Sequence, residues 1–145
     1  MARVGEARAL YEAGDLDGAL KILKDHLNDA PDDPEALYVM AAALYDGKSV
    51  GLAYNLFKLV IRLDGSRPAG FNGLGRCLYH WRQYDKAIEA FTASLERDPD
   101  YYFALQNMGI ALTNLGRDDE AETFYDRAIE VNPEGRDALA NLGLL

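Results

Sequence analysis

The sequence predicts an all-α fold in which antiparallel helix pairs stack into a solenoid. The main observation behind this prediction is a 34-residue period, kept through two columns of residues. Small alanines recur at this spacing, and a bulky apolar residue follows each of them by four positions. The two columns are Ala19, Ala53, Ala87 and Ala121, then Leu23, Phe57, Phe91 and Tyr125. Units that repeat in this way each bury a face against their neighbours.

Further columns keep the same spacing and set the boundaries of the repeats. Their members are Leu37, Phe71, Leu105 and Leu139; Met40, Leu74, Met108 and Leu142; Ala41, Gly75, Gly109 and Gly143; Leu10, Leu44, Leu78 and Leu112; and, at the repeat ends, Pro31, Pro99 and Pro133. We therefore predict a single domain over residues 1–145. Its units are the repeats 1–33, 34–67, 68–101 and 102–135, with a partial repeat or capping helix over 136–145.

Within a repeat, the spacing of apolar residues predicts two helices. In repeat four the apolar positions are three and four apart, as on one face of an α-helix: Leu105, Met108, Leu112 and Leu115. Gly116 ends this helix, Asp118 and Asp119 begin the next, and Pro133 stops it. The same pattern predicts helices at 3–13, 16–29, 34–46, 50–63, 68–81, 84–97, 102–115 and 118–131, with a last helix starting near 136.

The repeat also resembles a known family. Leu105-x-x-Met108-Gly109-x-x-Leu112, followed by Ala121-x-x-x-Tyr125 and Pro133, resembles the tetratricopeptide repeat, or TPR. The resemblance covers nearly the whole chain and implies about four TPR units in a right-handed solenoid. There are departures from the family pattern: Leu or Phe stands at the tryptophan position. Repeat one has Arg3 and Glu6 at positions that are apolar elsewhere, so we expect its first helix to be loosely packed.

Small residues and aromatic rings are predicted to pack together in each repeat. Gly75 and Gly109 let the two helices of a repeat approach closely, and the aromatic column then fills the space between them. Phe57, Phe91 and Tyr125 are the rings concerned. Burying each ring is expected to contribute about 1.5–3 kcal/mol.

The resemblance implies a concave groove lined by the first helices of successive units. Transferred to this sequence, the partner-binding groove consists of Tyr38, Ala42, Tyr45, Asn72, Arg76, Tyr79, His80, Gln106, Asn107, Ile110, Asn114 and Asn141. Amide side chains suit the main chain of a bound peptide, and tyrosines provide rigid contact area. Packing between helices is the alternative role for Tyr45 and Tyr79. The groove contains no lysine, so the lysine-dependent grip on a terminal carboxylate that some TPR domains use is not expected, although Arg76 can bind a carboxylate.

Motifs that suggest chemistry do not fit the repeat register. Gly47-Lys48-Ser49 looks like the end of a phosphate-binding loop, but no strand precedes it, and the register makes it a turn in which Ser49 is a plausible helix cap. Cys77 and His80 lie three residues apart on a helix, which is too few ligands for a metal site. No nucleophile has an evident base. We expect no enzyme, no metal and no cofactor.

Composition narrows the classes of partner. The net charge is −9, with −4 in repeat one and −5 in repeat four, so a basic face for nucleic acid is not expected. No apolar run approaches the length of a membrane span. One cysteine among 145 residues fits a reducing compartment, and we expect a cytoplasmic protein.

The function expected from these observations is a non-catalytic scaffold that binds a peptide or helix of a partner protein. Two alternatives remain open. One is the targeting arm of a larger enzyme, such as a glycosyltransferase. The other is a chaperone like those of type III secretion, whose middle repeat the segment from Phe71 to Cys77 resembles. The apolar end of the chain is consistent with either a longer parent protein or self-association through residues 136–145.

Overall fold

The structure is a computed structural model that describes residues 2–141 and Gly143, without the side chains of Ala138 and Asn141. Several predictions concern atoms outside this part of the chain. They are the groove role of Asn141 and the apolar end formed by Leu142, Leu144 and Leu145.

The residues that the structure describes form nine α-helices and no strand, which confirms the predicted all-α fold. Most helices begin and end where the period predicts, and three of them differ from the predicted bounds by one residue. The helices are α1 (Ala2–Glu12), α2 (Leu16–Asp29), α3 (Pro34–Asp46), α4 (Val50–Leu63), α5 (Pro68–His80), α6 (Tyr84–Arg97), α7 (Tyr102–Asn114), α8 (Asp118–Val131) and α9 (Gly135–Asn141).

The chain folds as two compact units, and unit 1 spans Met1–Gly73. Its core is built from short and branched apolar side chains of α1, α2 and α3: Val4, Ala7, Leu23, Ala36 and Val39. The expectation that α1 is loosely packed is wrong. The helix buries Val4 and Ala7, each one position after a charged residue, while Arg3 points outward and bonds Asp29 at 2.9 Å. Ala7 belongs to the column of Ala41, Gly75 and Gly109, whereas Val4 lies one position after the column of Leu37, Phe71 and Leu105.

Unit 2 spans Leu74–Leu145, and in it α7 packs against both α6 and α8. The repeat columns supply its core, in which Leu105, Met108 and Leu112 of α7 are buried with Ala121 and Tyr125 of α8. The predicted close approach of helices is also present in this unit. A Cβ atom added to Gly75 would overlap the ring of Phe91, and one added to Gly109 would overlap the ring of Tyr125.

In unit 1 the aromatic column packs in a different way. The ring of Phe57 is buried and lies against Gly73, where an added Cβ would overlap it. On another side, Tyr38 lies 5.8 Å from Phe57 between ring centroids. A glycine outside the predicted small column therefore accommodates this ring.

The N-cap residues of α3 and α4 differ in whether their side chains bond the first turn of the helix. Asp33 caps α3, because its Oδ1 accepts hydrogen bonds from the amides of Glu35 at 3.1 Å and Ala36 at 3.4 Å. Ser49 stands at the N-cap position of α4, as expected, but its side chain makes no cap hydrogen bond, so the predicted cap is wrong. Its backbone ψ is 61°, whereas Asp33 has the more extended value of 106° that caps usually show. Gly116 ends α7 with a φ of 74°, as predicted.

Candidate functional site

The first helix of repeat four presents a polar face beside its buried face. Gln106, Asn107 and Ile110 are half-buried and Asn114 is exposed, whereas Leu105, just before them, is fully buried. These four positions recur at spacings of three and four residues, so they lie along one side of α7. The most buried residues of α7, among them Leu105, Met108 and Leu112, lie on the other side of the helix.

A hydrogen bond joins this face of α7 to α5 within unit 2. The Nδ2 group of Asn114 donates to the hydroxyl of Tyr79 at 2.7 Å and to the carbonyl of Ile110 at 3.0 Å. The ring of Tyr79 also lies 5.3 Å from that of Tyr84 between centroids. Tyr79 therefore contributes to packing between helices, as one of the two interpretations predicted, and its role in partner binding stays a prediction.

The remaining groove residues of α5 in unit 2 are Arg76 and His80. Arg76 is half-buried and His80 is exposed, while Cys77 between them is completely buried. Burial raises the pKa of the Cys77 thiol to about 11. Within residues 2–141 and Gly143, no three or more His, Cys, Asp or Glu side chains cluster so as to hold a metal ion.

Unit 1 exposes less of the predicted groove. Tyr38 and Tyr45 are half-buried, but Ala42 is 3% exposed and Asn72 is 5% exposed. The expectation that these last two residues are not needed by the core is wrong. Asn72 precedes Gly73, the residue against which the ring of Phe57 packs.

Phe103 is a surface residue that the sequence interpretation missed. It is 57% exposed, and its ring has edge contacts with Tyr101 at 5.8 Å and Tyr102 at 5.6 Å between centroids. Phe103 lies three and four positions before Gln106 and Asn107, so it extends the same face of α7 by one turn. That spacing could have identified Phe103 as a residue of this face from the sequence.

A cluster of ion pairs in unit 1 was also missed. Glu35 pairs with Arg8 of α1 and, at 2.8 Å, with Arg67, whose Nε donates to Asp64 at 2.9 Å. Hydrogen bonds from the side chain of Ser66 and from Arg67 hold the pKa of Asp64 below its usual value. Arg8 lies within α1, Glu35 lies in the first turn of α3, and Asp64 and Arg67 lie between α4 and α5.

The structure also bears on membrane association. Across the described part of the chain, no helix is both long enough and apolar enough to cross a bilayer.

Paired helices on a 34-residue period, with a polar face left beside the packed one, define an α-helical repeat protein. Comparison with known families makes the class more specific. Two family models described as tetratricopeptide repeat match the chain, one over residues 2–43 and 81–142 and the other over residues 55–102. The chain belongs to the tetratricopeptide repeat family, as its motifs indicate.

Individual relatives cover different shares of their own length. The Protein CTR9 homolog of Arabidopsis thaliana is 34% identical over 108 residues, which is 74% of this chain and 10% of that protein. TTC0263, a thermophilic TPR protein of Thermus thermophilus, is 26% identical, with a TM-score of 0.89 over 99% of this chain and 80% of that one. An O-GlcNAc transferase mutant of Thermobaculum terrenum is 27% identical, with a TM-score of 0.74 over 77% of this chain and 21% of that one. The chain therefore spans only a small part of the plant relative and of the transferase.

Proposed function

We propose that this chain is a non-catalytic scaffold that binds a peptide or helix of a partner protein on the first-helix face of unit 2. Members of the TPR family are generally scaffolds of this kind. The observation that carries the proposal is the less buried side of α7. It presents an aromatic ring, an apolar side chain and several amides in a row: Phe103, Gln106, Asn107, Ile110 and Asn114.

The chemistry of this face suits an extended peptide or one side of a helix. Amide side chains carry both donors and acceptors, so Gln106 and Asn107 can pair with main-chain groups that a bound segment would otherwise bury without partners. Phe103 and Ile110 provide apolar area. Arg76 on α5 can pair with a carboxylate of the partner through two parallel hydrogen bonds.

Part of this face is ordered before a partner arrives. The bond from Asn114 to the Tyr79 hydroxyl, at 2.7 Å, fixes two side chains that face the same surface. Side chains that are already fixed lose less conformational entropy on binding, and this loss is one of the main costs of association. Tyr79 and Asn114 are therefore expected to favour affinity through pre-organisation as well as through contact.

A pull-down from source lysate tests the proposal. Asn107→Ala should reduce the recovery of specific partners several-fold, because the few residues that cost more than about 1 kcal/mol when truncated cluster near the centre of an interface. The matched control is Asn55→Ala, which removes the same group from an exposed position on α4. Circular dichroism of both variants establishes that each one folds. Equal recovery of every partner by Asn107→Ala and Asn55→Ala would contradict the proposal.

One comparison favours a second candidate, in which the chain is the targeting arm of a larger enzyme. The transferase from Thermobaculum terrenum aligns with this chain over only 21% of its own length. A repeat unit of this type therefore occurs in at least one protein named as an enzyme. Sequencing the parent gene beyond the codon for Leu145 tests this candidate: an immediate stop codon contradicts it, and an open frame encoding a catalytic domain supports it.

A further inference from the structure

A second surface of unit 2 lies along α8, apart from the first-helix face. It is a cleft of about 800 Å³ whose floor includes Tyr125 and Ile129. Its rim carries carboxylates at every fourth position of α8: Asp118, Glu122, Asp126 and Glu130. Residues four apart lie above one another on a helix, so these groups form a continuous acidic edge beside an apolar floor.

The charged side chains that line the cleft are mostly negative. Against its four carboxylates, Arg136 is the one cationic side chain that lines the cleft among the described residues. The negative potential is therefore not balanced locally, and it favours a positively charged occupant.

The repeat register shows that two of the four acidic residues occupy stacking positions. Asp118 and Glu122 stand where the earlier repeats have apolar or aromatic residues, namely Leu16, Val50 and Tyr84, then Leu20, Tyr54 and Ile88. In unit 1, Leu16 lies against the turn of the following repeat, since its Cδ1 would be 3.7 Å from a Cβ on Gly47. In unit 2, Tyr84 and Leu115 line one shallow cleft in the same way. These positions therefore face whatever element stacks next on the helix.

We propose that the α8 cleft binds a basic amphipathic helix of a partner protein, with Lys or Arg at every fourth position along the acidic rim and apolar side chains on the floor. In the earlier repeats, apolar residues at the stacking positions favour an apolar neighbour. On α8, carboxylates at the same positions favour a basic neighbour. End-to-end stacking of two copies is disfavoured, because it would bring repeat four, at −5, onto repeat one, at −4.

The probe for this surface is a fluorescent, alanine-based helical peptide of about 18 residues, because shorter helices are marginal in water. It carries Lys at every fourth position with Leu alongside. One control peptide has the same composition with its lysines distributed around the helix, and another has Glu in place of Lys. Fluorescence anisotropy with the full chain should show binding of the first peptide, at least about fivefold weaker binding of the redistributed one, and none of the acidic one.

Paired variants then locate the site. Asp118→Asn with Glu122→Gln should weaken binding of the basic peptide by about fivefold or more. The control, Asp119→Asn with Glu89→Gln, removes the same charge from exposed residues outside the cleft and should change affinity by less than about twofold. Equal losses in both double variants would indicate only general attraction to an acidic protein and would overturn the proposal.

Two further outcomes also bear on the proposal. Equal binding of the ordered and redistributed lysine peptides by the unmodified chain would overturn it, and this arm does not depend on any variant folding. Sedimentation velocity of the chain alone provides the other. A dimer that forms with concentration, and that Asp118→Asn with Glu122→Gln changes, would assign the cleft to a second copy instead of a partner helix.

Discussion

Glycines opposite aromatic rings determine how closely helices approach in each unit. Gly75 meets Phe91 and Gly109 meets Tyr125 in unit 2, while Gly73 meets Phe57 in unit 1. Since interiors are close-packed, a ring in such a position leaves no room for even one added methyl group. At the residue scale, the stability of the repeats therefore depends on the glycine, which has no side chain, as much as on the aromatic ring that packs against it.

Gly75→Ala should lower the free energy of unfolding by about 1–3 kcal/mol, because the added Cβ would overlap the ring of Phe91. Gly5→Ala is the matched control inside α1, where an added Cβ has no neighbour within 4 Å. That change should raise the free energy of unfolding by about 0.5–1 kcal/mol through helix propensity. Urea unfolding measures both, and changes of the same sign and size would contradict the packing account.

The buried thiol of Cys77 makes stability depend on pH in the alkaline range. Its pKa is about 11 in the folded chain, compared with 9.0 for an unperturbed thiol. As pH rises above 9, the thiol loses its proton in the unfolded chain before it does so in the folded chain. The contribution of the protonated thiol to the free energy of unfolding is therefore present below pH 9 and is lost between pH 9 and about 11. Urea unfolding at about pH 7 and about pH 10 should therefore show a larger loss for the natural chain than for Cys77→Ala. Equal losses would contradict this role of Cys77.

At the scale of the element, helix limits were largely predictable because they depend on local signals. Glycine, proline and the apolar period predicted α2, α3, α4, α6 and α8 to the residue. Side-chain bonds at the helix starts were not predictable, since Ser49 and Asp33 both occupy N-cap positions and only Asp33 makes a cap bond. Such a bond depends on the backbone angle before the helix, which residue type alone does not specify.

Asp33 links two elements, and its loss should be costly. Besides capping α3, its Oδ2 lies 2.8 Å from Nε2 of His26, which is 5% exposed on α2. Asp33→Ala should lower the free energy of unfolding by about 1–2 kcal/mol, whereas Ser49→Ala should change it by less than about 0.5 kcal/mol. Asp33→Asn keeps an oxygen that can cap α3 but removes the carboxylate beside His26. This variant therefore separates the contribution of the cap from that of the contact with His26. Thermal melts of the three variants provide the test, and an equal effect of Asp33→Ala and Ser49→Ala would contradict it.

At the scale of the whole molecule, the repeat register separates the most buried residues of a helix from its less buried ones. Gln106, Asn107, Ile110 and Asn114 lie on the less buried side of α7, as the family resemblance implies for a first helix. The register did not predict the burial of Asn72, because burial depends on the neighbouring helices and not on residue type alone. Contacts between the two ends of one repeat, such as that of Glu35 with Arg67, also lie beyond what a local pattern can show.

The proposed binding of a partner on the first-helix face of unit 2 can be measured through side-chain amide signals in a ¹H–¹⁵N spectrum. When a partner segment recovered by the pull-down is titrated in, the signals of Gln106, Asn107 and Asn114 should shift the most. Those of Asn28 and Asn55, exposed on α2 and α4, should stay nearly unchanged. Saturable binding that leaves the three amides unshifted would contradict the account.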